Sequence, residues 1–380
     1  MDIGVILTVL WPYLAALYVL DCLLVVLGGH LLFSGTTFSG FRAKGAGLRF
    51  AGLFPWDWSI LSVREPLMLS ETGLYVRAFP FPDDHRPPGP DDLEFIPYEV
   101  ISNVSRDGRK ILIDGKVVHT APTGVIAGHL AGKVRTILNA PVDDRRKAVE
   151  ALMAGASDLQ AIRDAVGVIK RFTSFLLFAS TLLFILVFAS IPVSLLIRVP
   201  LPWLWGEMVL IGVVYFLIVA LWWKAHGTLL PGESGDRLEE LMVFVFFPVS
   251  AMHAFGKLTR RLLASFDSVA LIVVLDPEGA GEILKKEYIR TRASAGYGGG
   301  EDLQDVWNMR IQVMEEFARE VEVELNRLKG PSTAQGDAES PVCPLCSATY
   351  VEGITECVDC RVLLTAPEVL PELVEKDGHF

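Results

Sequence analysis

The chain has 380 residues, 51% of them hydrophobic, a mean hydropathy of +0.41 and a net charge of −11. Its 45 acidic residues against 34 basic ones exclude a generally basic surface for nucleic acid. Of its five cysteines only Cys22 lies outside the tail segment 343–360, which excludes a secreted disulfide framework and fits a reducing compartment.

The apolar residues are concentrated in three long runs. The first spans about Ile3 to Phe33 and is interrupted by Asp21 and His30. It exceeds the roughly 20 residues a bilayer core needs. It starts Met-Asp-Ile-Gly with no basic segment and is too long for a signal peptide, so a transmembrane helix is expected over 1–33. Asp21 is the sharpest single residue, because a carboxylate near mid-bilayer costs about 3 kcal/mol on insertion scales. It must face the bundle or stay protonated. Its expected partner is Ser180, Thr181 or Ser190 of the second run, or another subunit; a proton or cation relay is the functional alternative.

Residues 34–140 read as a β-rich cytoplasmic unit. REPLMLSETGLYVRAF alternates around Thr72-Gly73, and PFPDDHRPPGPDD is a loop. LEFIPYEVISNVSRDGRKILIDGKVVHTAP follows, with Asp107-Gly108 and Asp114-Gly115 between β-rich stretches, a strong hairpin signal. TGVIAGHLAGKVRTIL closes the unit as a helix. The run LSETGLYV…FIPYEVISNVSRDGRKILIDGKVV resembles bacterial PH-like domains over about 80 residues. That resemblance implies a curled antiparallel sheet with a capping helix and leaves the ligand open. Arg106, Arg109 and Lys110 at the SRDGRK tip are the candidate contacts to anionic lipid. Against that role, residues 42–140 carry 12 basic and 11 acidic residues and so have no broad basic face; a solvated hairpin tip is the plainer reading.

Residues 141–171 form a helical connector. Thr173–Ile197 and Trp203–Trp223, joined by RVPLPW, form a transmembrane hairpin over 172–223 with tryptophans at its ends. Basic residues cluster before run two (Arg145, Arg146, Lys147, Arg163, Lys170, Arg171) and after run three (Lys224, Arg237), whereas the hairpin turn carries only Arg198. With Arg42, Lys44 and Arg49 after run one, the positive-inside rule places 34–172 and 224–380 in the cytoplasm and the N-terminus outside, as in a multi-pass inner-membrane protein. The stretch 241–255 around Pro248 is too short to span and reads as re-entrant, interfacial or buried.

Residues 224–300 read as a cytoplasmic or interfacial helical region: a basic helix, then a strand or buried run, then a helix, ending in the AGYGGGED link. Residues 301–330 form an amphipathic helix ended by Gly330. Its Trp307, Met314, Val321 and Leu328 stripe fits homo-oligomeric self-pairing or packing on its own domain. Residues 331–341 are a linker.

Cys343-Pro-Leu-Cys346 and Cys357-Val-Asp-Cys360 are ten residues apart. Four thiolates at this spacing suit a structural zinc ion, with iron as the minority alternative, and leave no open position for catalysis. The segment 342–366 resembles short zinc ribbons and should be unfolded without metal. Residues 331–380 hold nine acidic residues against Arg361 and Lys376, so the tail, including its acidic end 367–380, would repel nucleic acid. No HExxH occurs, and GESGD around Ser234 lacks the last glycine of a nucleophile elbow. The expected fold class is therefore an α+β membrane protein: three transmembrane helices, a PH-like domain, a helical region and a zinc ribbon. No enzymatic activity is expected. The expected role is a scaffold or adaptor holding its modules at the bilayer for a cytoplasmic protein, with a transport component built on Asp21 as the alternative.

Overall fold

The computed structural model describes residues 3–27, 30–33, 54–61, 67–77, 93–121, 124–230, 234–296, 301–323, and the single positions 325, 341, 343 and 364. The described chain is predominantly helical with small antiparallel sheets, and it divides into two compact units. The first unit comprises residues 1–63 and 159–268; the second comprises 64–158 and 269–380.

The first unit is a helical bundle. Helix α1 (Ile3–Leu27) leads into strand β1 (His30–Phe33), which pairs antiparallel with β2 (Trp58–Leu61). Helix α4 (Leu159–Ile185) continues through a π-helical turn, Leu186–Ser190, into α5 (Ile191–Leu196); α6 (Leu201–Leu229) returns. These two segments, Leu159–Leu196 and Leu201–Leu229, are long and apolar enough to cross a membrane. Only 17% of the most apolar stretch of α6 is buried within the protein, unlike the core helix of a soluble domain. Tyr18, Leu176, Leu183, Ile218 and Trp222 pack in the bundle core, while Phe175, Phe178, Val213 and Phe216 point outward.

Two prolines shape this unit. In the π turn the Ile191 N–H donates to the Leu186 carbonyl. The Val187 carbonyl would then need the N–H of residue 192, which is proline and has none. The indole of Trp11 on α1 donates to it instead, at 2.9 Å. Helix α7 (Ser234–Phe246) ends before Pro248, which removes the donor for the Phe244 carbonyl; the Tyr215 hydroxyl donates to that carbonyl at 2.8 Å. In each case an aromatic donor from a neighbouring helix satisfies the carbonyl that proline orphans, as an apolar surrounding demands.

After α7 a 3₁₀ segment, Pro248–His253, runs into α8 (Ala254–Leu262). Val249 through Phe255 are all buried, and the segment packs on α1, α4 and α6. Of the three readings open for 241–255, its second half is thus protein-buried.

The second unit holds two three-stranded antiparallel sheets. The first has the order β3 (Leu67–Leu69), β4 (Gly73–Arg77), β5 (Leu93–Pro97); the second has β6 (Val104–Asp107), β7 (Lys110–Ile113), β8 (Lys116–Thr120). Asp114 and Gly115 form the β7–β8 turn with φ of 49° and 79°, the type I′ signature expected of Asp-Gly. At the β6–β7 turn Asp107 instead pairs with Lys110, so the loop is Gly108-Arg109, with Gly108 at φ 55°. Helix α2 (Gly124–Leu138) covers β6 and β7, and α3 (Arg145–Ser157) follows.

Helices α9 (Ser268–Leu275), α10 (Pro277–Gly296) and α11 (Glu301–Glu320) complete the description. The apolar run left open as strand or buried segment is helical, with Val269 to Val273 buried. Met314 and Phe317 of α11 are buried, and Tyr288 of α10 donates to Glu315 at 3.1 Å. Helix α11 ends at Glu320, ten residues before Gly330. Glu322 adopts φ 55°, and the Val323 N–H returns to the Ala318 carbonyl at 2.8 Å, a Schellman closure built without glycine.

Candidate functional site

The polar residues of the bundle converge on Asp21. Tyr18, Asp21 and Cys22 lie one turn apart or adjacent on α1, so they share one side of that helix. The 3₁₀ segment brings Ser250 and His253, and α8 brings Lys257 one turn on. The Ser250 hydroxyl donates to Asp21 Oδ1 at 3.3 Å and accepts a hydrogen bond from Lys257 Nζ. His253 Nε2 stands 3.9 Å from Asp21 Oδ2 and 3.5 Å from Cys22 Sγ, and its ring stacks on Tyr18 with centroids 4.8 Å apart. A carboxylate, a hydroxyl and an ammonium thus form one chain, with a thiol and an imidazole beside it.

A second buried pair borders the first. Arg261 Nε donates to Glu240 Oε1 of α7 at 2.9 Å, and Arg260 Nη2 lies 3.8 Å from the same oxygen. The Lys257 ammonium also sits 5.1 Å from the centre of the Phe244 ring. Together these contacts tie α1, α7, the 3₁₀ segment and α8 into one electrostatic unit.

Such a chain can pass a proton between Lys257 and Asp21 through Ser250, and a thiol beside an imidazole is a nucleophile's usual company. Ser250, Cys22, His253 and Lys257 are all buried. Glu240 is thus held by two arginines, while Lys257 reaches Asp21 only through the Ser250 hydroxyl.

Asp21 meets Ser250 and His253, which are not among the partners expected for it on the second run. Thr181 Oγ1 is spent on the Leu177 carbonyl, and Ser180 Oγ has no hydrogen bond among the described residues. The carboxylate turns instead to the segment after Pro248. The missed residues carried a faint signal: Ser250 and His253 interrupt an apolar stretch bracketed by Glu240 and Lys257.

The hairpin-tip cations divide. Arg106 Nη1 donates to the Gly124 carbonyl at 2.9 Å, anchoring the start of α2, while Arg109 and Lys110 are exposed. Nearby, Arg145 lies over the Tyr98 ring at 5.1 Å and reaches Glu99 at 3.4 Å. Burial pushes the Tyr98 hydroxyl above its ordinary range, with Arg145 opposing. Burial lowers His119 on β8 to about 4, so it is neutral at physiological pH. Of the proposed metal ligands, Cys343 is buried; Cys346, Cys357 and Cys360 lie outside the described residues.

No protein-family model, curated protein or solved structure matches the chain.

Proposed function

We propose that this chain is a membrane-anchored adaptor: a three-pass bundle carrying, on the cytoplasmic side, a PH-like module and a zinc-ribbon tail that recruit a protein partner. The observation that carries the reading is the division of labour between the two units. One exposes long apolar helical faces suited to lipid; the other is a separately packed set of sheets and helices.

Several features support the finer points. Helix α1 has 25 residues, and its Trp11 reaches Val187 while its far end leads to β1, so it runs alongside α4 in the opposite sense. That supports a third crossing. Trp58 of β2 lies 6.0 Å from Lys170, just before the apolar run of α4, and Arg237 donates to the Trp223 carbonyl near the end of α6. The two helices are joined by a short turn at 197–200, so these contacts mark one end of the bundle. Cations crowd that end, whereas the opposite turn holds Arg198, consistent with the positive-inside rule. Two three-stranded antiparallel sheets with a covering helix are compatible with a PH-like module.

Crosslinking in intact cells followed by purification of the full chain tests the adaptor. The same soluble protein should be captured by wild type and by Asp21→Asn, and lost on Cys343→Ser. Capture that is indifferent to Cys343→Ser defeats the tail as the recruiting element. The transport alternative rests on the Asp21–Ser250–Lys257 chain; equal ion flux into vesicles carrying wild type or Asp21→Asn eliminates it.

A further inference from the structure

The segment from α7 to α8 has a geometry that neither a surface helix nor a buried core helix explains. Along α6, the Arg237 guanidinium sits 3.5 Å from the Trp223 ring, and seven residues later the Phe244 carbonyl meets Tyr215. Helix α7 therefore runs antiparallel to α6. From Trp223 to Tyr215 is eight residues, about 12 Å of rise. Tyr215 is the central residue of Leu201–Leu229, so the end of α7 lies midway along a helix long enough to span a bilayer.

There the chain turns back. The Phe247 N–H closes on Val243, and Pro248 stops the helix. On the return, Lys257 lies by Phe244 and Arg261 bonds Glu240, so α8 runs antiparallel to α7 and leaves toward the end it came from. Non-helical backbone at membrane depth is tolerated only where protein buries it. Val249 to His253 are buried; exposed Phe247 has its N–H on the Val243 carbonyl and its carbonyl on the Ser250 N–H, and exposed Pro248 has no N–H to satisfy.

Helix α7 has two unlike faces. Glu240 and Phe244 point into the bundle. Leu238, Met242, Val245 and Phe246, with Phe247 beyond, are exposed, and Phe246 is 69% open. Exposed Glu239 stands at the entry end of this face, where headgroups lie, and from Met242 onward the face is apolar; Val213 and Phe216 of α6 are exposed as well. Water is a poor neighbour for such a continuous apolar surface, whereas acyl chains are an indifferent one.

We propose that residues 234–262 form a re-entrant hairpin, entering the bilayer from the basic end and turning at mid-depth, with Glu239 at headgroup level and the 242–247 face of α7 against phospholipid acyl chains. The inference rests on the membrane reading above, and its test separates the two. The full-length wild-type protein is reconstituted in vesicles of phospholipid bearing a photoactivated carbene precursor either midway along an acyl chain or in the headgroup. Adducts are then mapped by peptide mass spectrometry. The acyl-chain probe should mark 242–247 and 213–217 and leave 249–255 unmarked. Marking of 213–217 without 242–247 overturns the hairpin and spares the membrane reading; a second copy of the chain covering α7 would give this result. Marking of 242–247 by the headgroup probe alone also overturns it, because α7 would then lie flat at the surface. Marking of neither segment overturns both.

Discussion

At the scale of single residues, the bundle holds Glu240 against Arg260 and Arg261 and links Asp21 to Lys257 through Ser250. Removing one partner of a buried ionic pair leaves the other uncompensated and typically costs about 3 kcal/mol or more. Asp21→Asn, which removes the carboxylate that Ser250 and His253 face, should lower the apparent melting temperature of the detergent-solubilised protein by an amount equivalent to about 1–3 kcal/mol. Lys257→Met on that background should recover part of the loss, since the double change removes both charges; additive losses would show that Asp21 and Lys257 are not coupled through Ser250. In the second unit, His119 gives a pH signature. Its folded-state pKa of about 4 lies below the ordinary 6.5, so between these values the unfolded chain binds the proton more readily. Stability is then fully present above about pH 6.5 and is lost as pH falls toward about 4. Urea midpoints of the full chain across this window should fall with pH, and His119→Gln should flatten that slope.

At the scale of elements, helix and strand ends are where the structure departs most from expectation. The hairpins were legible because Asp107-Gly108 and Asp114-Gly115 announce turns, although the first loop falls one residue later, at Gly108-Arg109, with only Gly108 at positive φ. Gly73 was legible as turn chemistry but not as a packing necessity: a Cβ there would lie 2.5 Å from the Ile96 carbonyl oxygen of the neighbouring strand. Gly73→Ala should thus cost about 1–3 kcal/mol by overpacking. The ends of α5 and α11 were not legible, because Arg198 and Glu322 occupy the left-handed positions usually given to glycine. Glu322→Gly should raise the unfolding free energy by about 1 kcal/mol, the left-handed penalty it relieves, and so raise the denaturation midpoint; an unchanged or lower midpoint would refute the strain. The proline-orphaned carbonyl of Val187 gives a parallel test. Trp11→Phe should cost about 1 kcal/mol, and less in a Pro192→Ala background, where a restored N–H can serve the same oxygen.

At the scale of the whole molecule, the two units set different demands on their surroundings. The apolar faces of α4 and α6 suit lipid, and the ribbon proposed for the tail would take a metal. The purified full chain should carry about one zinc ion, lost on Cys343→Ser or on chelation, as four thiolates form one closed site. A chain free of metal when prepared under reducing conditions would remove the ribbon from the proposal.

The long apolar runs, the hairpin signals and the charge asymmetry were determined by the sequence alone, because hydropathy over twenty residues, turn chemistry over two and the count of flanking cations are all local quantities. The partners of Asp21 were decided only by tertiary structure. Ser250 and His253 stand more than 200 positions away, and nothing local distinguishes them from Ser180 or Thr181. The same holds for Trp11 on Val187 and Tyr215 on Phe244: a proline announces that a carbonyl will lose its donor, but which side chain replaces that donor depends on which helices lie side by side.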